Sequence, residues 1–224
     1  GKYSMEQETN NEATVDKELD EQRPNENGQL AISGHIKIFD PISGEVLVDK
    51  RNAIHYENIS EALANSLSNK NIGQIYSMAF GNGGSSVDPT GVITYLPPNT
   101  TGQNANLYNP TYAKVVDNNS AANTDTSRNK LTVTHTTGKV YTDILVSCLL
   151  DYGEPSGQQA FDNSTDFNGD YVFDELGLKV WNGSTTNLRL ITHVIFHPVQ
   201  KSLNRQIQID YTVRIQTLTN LSAT

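Results

Sequence analysis

The chain has 224 residues, of which 36% are apolar, and carries a net charge of −9. That length can bury a sizeable core, while the lean apolar share places part of the chain in tails or long loops. The negative balance argues against a nucleic-acid or anionic-membrane surface, and no apolar run approaches the ~20 residues of a helical membrane span.

Residues 1–28 read as an acidic N-terminal arm. Glu6, Glu8, Glu12, Asp16, Glu18, Asp20, Glu21 and Glu26 outnumber the bases, and apolar residues are scattered. Such a segment buries too little apolar surface to offset its ordering entropy. It is expected either as a solvated tail or as an arm that orders against a neighbouring subunit. Residues 29–224 are expected to form a single domain. LAISGHIKIFD alternates as a strand, Pro41-Ile42-Ser43-Gly44 makes a turn, and EVLVDKRNAIHY returns, which together predict a hairpin.

ENISEALANSLSNK predicts a short helix. Asn58 and Glu61 have the spacing of a capping box. Leu63 and Leu67 fall one turn apart on one face, and Lys70 with Gly73 marks the stop. IGQIYSMAF reads as the next strand and runs into FGNGGSS. A phosphate loop needs its glycines to lead at once into a helix, with a Lys in reach. Here Asp88-Pro89 and Pro97-Pro98 exclude the helix and no Lys is placed for the task. Gly81, Gly83 and Gly84 are therefore assigned to a turn, as is Gly177 at a strand entry, and Gly83→Val is expected to harm folding if Gly83 sits at positive φ.

About 81–130 the chain is rich in Gly, Pro, Asn, Ser and Thr, a long excursion that packs on its own domain or on a neighbour. Tyr95, Tyr108 and Tyr112 give it adhesive points and are candidate interface residues. The remaining sequence is strand signal punctuated by turns: KLTVTHT, KVYTDILVSCLLDY, YVFDELGLKVW, NLRLITHVIFHPV and RQIQIDYTVRIQTL. In the last, Ile207, Ile209, Tyr211, Val213 and Ile215 share one face, and Gln208, Asp210, Thr212 and Arg214 the other. The expected fold is all-β, a β-sandwich or jelly-roll-like domain with one short helix, a long loop excursion and an extended N-terminal arm.

Residues with chemical potential are present without a constellation. STDFNGDYVFDE has partial EF-hand spacing, with Asp166, Asn168, Asp170 and Glu175 as calcium candidates. Its first position is Ser164 and its flanks are strand-like, which favours an ordinary turn. His193 and His197 would share a metal on a helix, but on a strand they stand ~13 Å apart. His35, His55 and His135 lie singly. Cys148, the one cysteine, sits in ILVSCLL and reads as a buried, inert thiol. There is no Gly-x-Ser-x-Gly elbow. Asp174 and Glu175 are adjacent, so on a strand they are expected on opposite faces. No catalytic residue, resident metal or cofactor is assigned.

One further reading comes from the order of the anchors. Arg51-Asn52-Ala53-Ile54 precedes a short helix, then IYSMAFGNGG, DPTG and a Tyr- and Pro-containing run. Much later come Glu175-Leu176-Gly177-Leu178, Phe196-His197-Pro198-Val199-Gln200-Lys201 and a last alternating strand. This order, over about residues 30–216, resembles small β-sandwich virion proteins of tailed bacteriophages, found in necks, tails, baseplates and capsid decorations. The resemblance implies a non-enzymatic structural subunit, assembled in the bacterial cytoplasm into the virion. Its partners would be copies of itself and other virion proteins, with no nucleic acid and no membrane. The alternative is a carbohydrate- or receptor-binding module of an adhesion device. There Tyr95, Tyr108, Tyr112 and Trp181 would stack on a host-surface glycan.

Overall fold

The computed structural model describes residues 26–156 and 170–221. The chain is all-β and sandwich-like with one short helix. The first sheet contains β1 (Glu26–Phe39), β2 (Val46–Arg51), β8 (Lys130–Thr134), β9 (Tyr141–Leu150) and β13 (Ile207–Leu221), in the order β2-β1-β13-β9-β8. The second contains β3 (Ala53–Ile54), β4 (Ile75–Gly81), β7 (Pro110–Val115), β10 (Asp170–Val180) and β12 (Thr192–Ser202), in the order β3-β12-β10-β4-β7. β11 (Arg189–Leu190) adds to β10, and β5 (Ser85–Val87) pairs with β6 (Ile93–Tyr95) as a separate hairpin. The pairings are antiparallel. The arm reading of residues 1–28 falls almost wholly outside the described residues.

Period-2 patterning produces the two layers. Ile36, Ile38, Val146, Cys148, Leu150, Ile207, Ile209, Tyr211 and Val213 point inward from the first sheet. They meet Met78, Phe80, Phe173, Leu176, Leu178, Val194 and Phe196 of the second, where Phe173 packs edge-on against both Phe80 and Phe196 at 5.5 and 5.7 Å. At ~25 cal/mol per Å2 of apolar surface, each such side chain contributes ~2 kcal/mol relative to exposure. β13 keeps its outer face wet, where Arg214 grips Asp143 with two bonds of 2.8 and 3.0 Å and lies over the Tyr141 ring. Burial pushes the Cys148 thiol up to about 12, consistent with an inert group.

The helix differs from the sequence reading in its start and in its buried face. The helix α1 (Tyr56–Leu67) begins before Asn58, and its cap is His55, whose Nδ1 accepts from the Asn58 N–H at 3.2 Å. Asn58 is instead buried, and its amide donates to the carbonyls of Leu190 and Gln103. The buried face is Asn58, Ile59 and Ala62, with Leu63 at its margin and Leu67 88% exposed. The excursion from 81 to 130 also packs on its own domain. β7 pairs with β4, and Leu107 is buried with Ala79 and Leu190 on the outer side of β4. No helix among the described residues is long and apolar enough to cross a membrane.

Candidate functional site

The glycine loop after β4 does bind an anion, and the anion is the protein's own. Gly83 N–H donates to Glu175 Oε2 at 2.8 Å, Gly84 N–H to Asp174 Oδ1 at 2.9 Å and Ser85 N–H to Asp174 Oδ2 at 2.8 Å. Successive backbone N–H groups of a turn make a concavity that favours negative charge. In a phosphate site the charge is a ligand; here two carboxylates from β10 occupy it.

Adjacent strand residues were expected on opposite faces, yet Asp174 and Glu175 reach the same loop. The cause is a break in the ladder between β10 and β12. Phe173 lies opposite Val199, while Glu175 lies opposite Ile195. Two residues of β10 therefore span four of β12, and the local twist redirects the side chains, as bulges do. On the other side Glu175 pairs with Gly81, the last residue of β4. Beyond it the chain leaves the ladder and folds its amides over both acids.

Glu175 is the hub. Its carboxylate has 0% exposure and accepts from Gly83, Tyr108 and Asn109 N–H groups at 2.8 to 3.0 Å. A fourth donor is His193 Nε2, 2.8 Å from Oε1. Burial alone would raise the Glu175 pKa; the His193, Asn109, Tyr108 and Gly83 donors outweigh it and hold the carboxyl below its ordinary value. His193 has its own constraint: Nδ1 accepts the Asn99 N–H at 2.7 Å. An acceptor Nδ1 assigns the proton to Nε2, so the ring is neutral and donates to Glu175. The Tyr108 ring covers it at 5.5 Å. Both ring nitrogens and both carboxylate oxygens are thus engaged by the protein itself. The arrangement ties residues 83–85, 99 and 108–109 to β10 and β12.

This explains the glycines without positive φ. A Cβ on Gly83 would stand 2.7 Å from Asn109 N and 2.8 Å from Tyr108 Cβ. One on Gly84 would press on Ile195, and one on Gly81 would strike the Asn109 carbonyl and Glu175 Oε2. Gly177 is no turn at all: it lies inside β10 opposite Ala79, where a side chain would meet the Thr192 carbonyl. The requirement at these positions is close approach. Left-handed φ is reserved for true turns such as Gly44 at +79°.

The other sequence candidates are dispersed. Asp166 and Asn168 lie outside the described residues, as does the Asp170 side chain. Glu175, the fourth calcium candidate, is committed to its four donors. Among the described residues no three His, Cys, Asp or Glu side chains converge to hold a metal. His197 is exposed on β12, with Nδ1 3.3 Å from Tyr95 Oη, apart from the buried His193. Tyr112 is half-buried against Phe80 and bonds Glu154. Tyr108 bonds the Pro97 carbonyl, and Trp181 packs on Tyr76. Tyr95 retains a half-exposed ring, at the mouth of a cleft between β2 and β12 of about 630 Å3. Asn52, an anchor of the sequence order, packs its amide on Gly34 with neither polar atom bonded among the described residues.

Sequence reasoning did not find the His193–Glu175 pair, whose members are separated by 18 residues. The available signal was an acid inside the apolar run YVFDELGLKV, since a buried carboxylate needs donors and a glycine-rich loop supplies them. Comparison with protein-family models, with curated proteins and with solved structures finds no match.

Proposed function

We propose that this chain is a structural subunit of a tailed-phage virion, in its neck, tail, baseplate or capsid decoration. It works by packing against copies of itself and other virion proteins, without catalysis. The observation that carries the assembly reading is the ribbon formed by β1 and β13. These strands pair from Glu26↔Leu221 to Phe39↔Gln208. β2 covers β1 only from His35 onward, and β9 covers β13 only as far as Gln216. Among the described residues the far end is a two-stranded ribbon, with Leu30 53% exposed on the face that carries Ile36 and Ile38 and Leu218 40% exposed on the other face. An unaccompanied two-stranded ribbon is marginal in water, and a neighbouring subunit would supply the missing layer.

The virion assignment rests on the order of sequence anchors. The engagement of Asp174, Glu175 and His193 in bracing the fold agrees with it, because it gives the most reactive-looking cluster a structural role. The test is the oligomeric state of the full chain by light scattering, alone and with Leu30→Asp plus Leu218→Asp. A defined oligomer that dissociates in the double variant, with its melting intact, is the expected result. A monomer at every concentration, or an oligomer indifferent to both changes, contradicts it.

A further inference from the structure

The outer face of the first sheet carries a pocket of about 460 Å3, lined by Ser33, Gly34, His35, Arg51, Thr212 and Arg214. The strand register assembles it. His35 on β1 lies opposite Arg51 on β2 and opposite Thr212 on β13, and Ser33 lies opposite Arg214. Residues opposite one another, or two apart along one strand, share a face. These five side chains therefore stand on the side away from Ile36, Ile38 and Val213, which face the core. Ser33 and Thr212 are short, which leaves a depression between the longer Arg51, His35 and Arg214.

The lining offers donors and no carboxylate. The Arg51 guanidinium is exposed and has no partner among the described residues. The hydroxyls of Ser33 and Thr212 likewise bond no protein group among the described residues. Arg214 is held in place before any ligand arrives. Its Nε and one terminal nitrogen donate to Asp143 at 2.8 and 3.0 Å, and the guanidinium lies 4.0 Å over the Tyr141 ring. A guanidinium has five N–H groups, so three are left over. His35 spends Nε2 on Asp49 at 2.6 Å. Both acids, Asp143 and Asp49, sit outside the lining and are already paired, so Arg51 is the cation without a counter-charge.

We infer that this pocket binds a tetrahedral oxyanion, a phosphate or sulfate group, either free or as the monoester of a small molecule. Arg51 and Arg214 approach from opposite sides of β1, with the two hydroxyls between them. Donors from several directions suit a tetrahedral group, whereas one guanidinium fork satisfies a planar carboxylate. The hold of Asp143 and Tyr141 on Arg214 lowers the ordering cost of binding. The volume falls in the range of small-molecule sites, so room is left for the body of an ester. The net charge of −9 opposes a polyanion at long range and favours a small ligand held by short contacts. The inference goes beyond the assembly reading and stands without it.

The experiment is calorimetric titration of the full chain, at fixed ionic strength, with inorganic phosphate, inorganic sulfate, methyl phosphate and methyl sulfate, and with acetate as the planar control. The phosphate or sulfate probes should bind once per chain, with acetate about tenfold weaker or more. Tighter binding of the methyl esters identifies an ester as the ligand; equal or tighter binding of the inorganic ions identifies the free ion. Arg51→Gln should weaken binding about tenfold or more, and Ser33→Ala about threefold. Lys70→Gln removes the same charge at an exposed position beyond α1 and should leave binding unchanged. All three variants should keep the wild-type melting temperature, because none of these side chains bonds protein among the described residues. No binding of any phosphate or sulfate probe up to about 10 mM overturns the inference. So does acetate binding as tight as theirs, or an affinity indifferent to Arg51→Gln and Ser33→Ala. An equal loss in Lys70→Gln also overturns it, by assigning the effect to overall charge.

Discussion

Glu175 is where one residue's chemistry decides the local fold. A carboxylate with no solvent contact is costly unless every oxygen is answered, and four donors answer this one. Glu175→Gln turns an acceptor into an NH2 group facing N–H donors, and should lower stability by about 3 kcal/mol in chemical denaturation. The pH dependence follows from the direction of its shift. The folded pKa lies below the ordinary value, so the unfolded chain binds the proton first as pH falls. Its stabilisation is complete above the ordinary Glu pKa and disappears as pH drops through the folded one. Melting curves from neutral to acid pH should show that loss in the wild type and a smaller loss in Glu175→Gln. Equal slopes would show that Glu175 does not carry it. The glycines give a second residue-scale contrast. Gly44→Asn should be nearly neutral, because Asn tolerates positive φ and open space surrounds that site. Gly83→Asn should cost about 2 kcal/mol or more through overlap with Tyr108 and Asn109. Similar melting temperatures for the two variants would remove the close-approach argument. The sequence marked both glycines, and it did not separate the two reasons, since one depends on φ and the other on a segment 26 residues away.

At the scale of elements, alternation was enough to locate most strands. Ile207, Ile209, Tyr211 and Val213 are buried inward on β13 as their spacing requires, with Ile215 half-buried beyond them, and the β1–β2 hairpin follows from its turn. The bulge opposite Glu175 was not legible, because it exists only in the register between β10 and β12. The helix start was misread for a related reason. Asn58 has the cap-forming side chain by type, but the carbonyls of Leu190 and Gln103 claim it. His55 then caps the helix and also meets the Gly102 carbonyl through Nε2 at 2.8 Å. His55→Ala should cost about 1 to 2 kcal/mol by loss of both bonds, and His55→Asn less, because Asn restores the cap acceptor. Urea unfolding of the two variants checks this; identical midpoints would show that the cap contributes nothing. Leu67 was assigned to the buried face by helical spacing, but it is the last residue of α1 and projects past the layer it would cover.

At the scale of the whole molecule, the buried polar groups and the exposed apolar ones point the same way. Asp174, Glu175 and His193 are turned inward to hold loops, while Leu30, Leu218, Tyr95 and Leu96 remain uncovered on a ribbon and at a cleft mouth. Among the described residues a single chain leaves the far end of the β1–β13 ribbon and the outer edge of β2 uncovered, and in the proposed assembly a neighbour would cover the ribbon. The most direct measurement is the solution mass of the full chain by light scattering across a concentration series. A defined mass of two or more chains is expected. A mass of one chain at every concentration would contradict it.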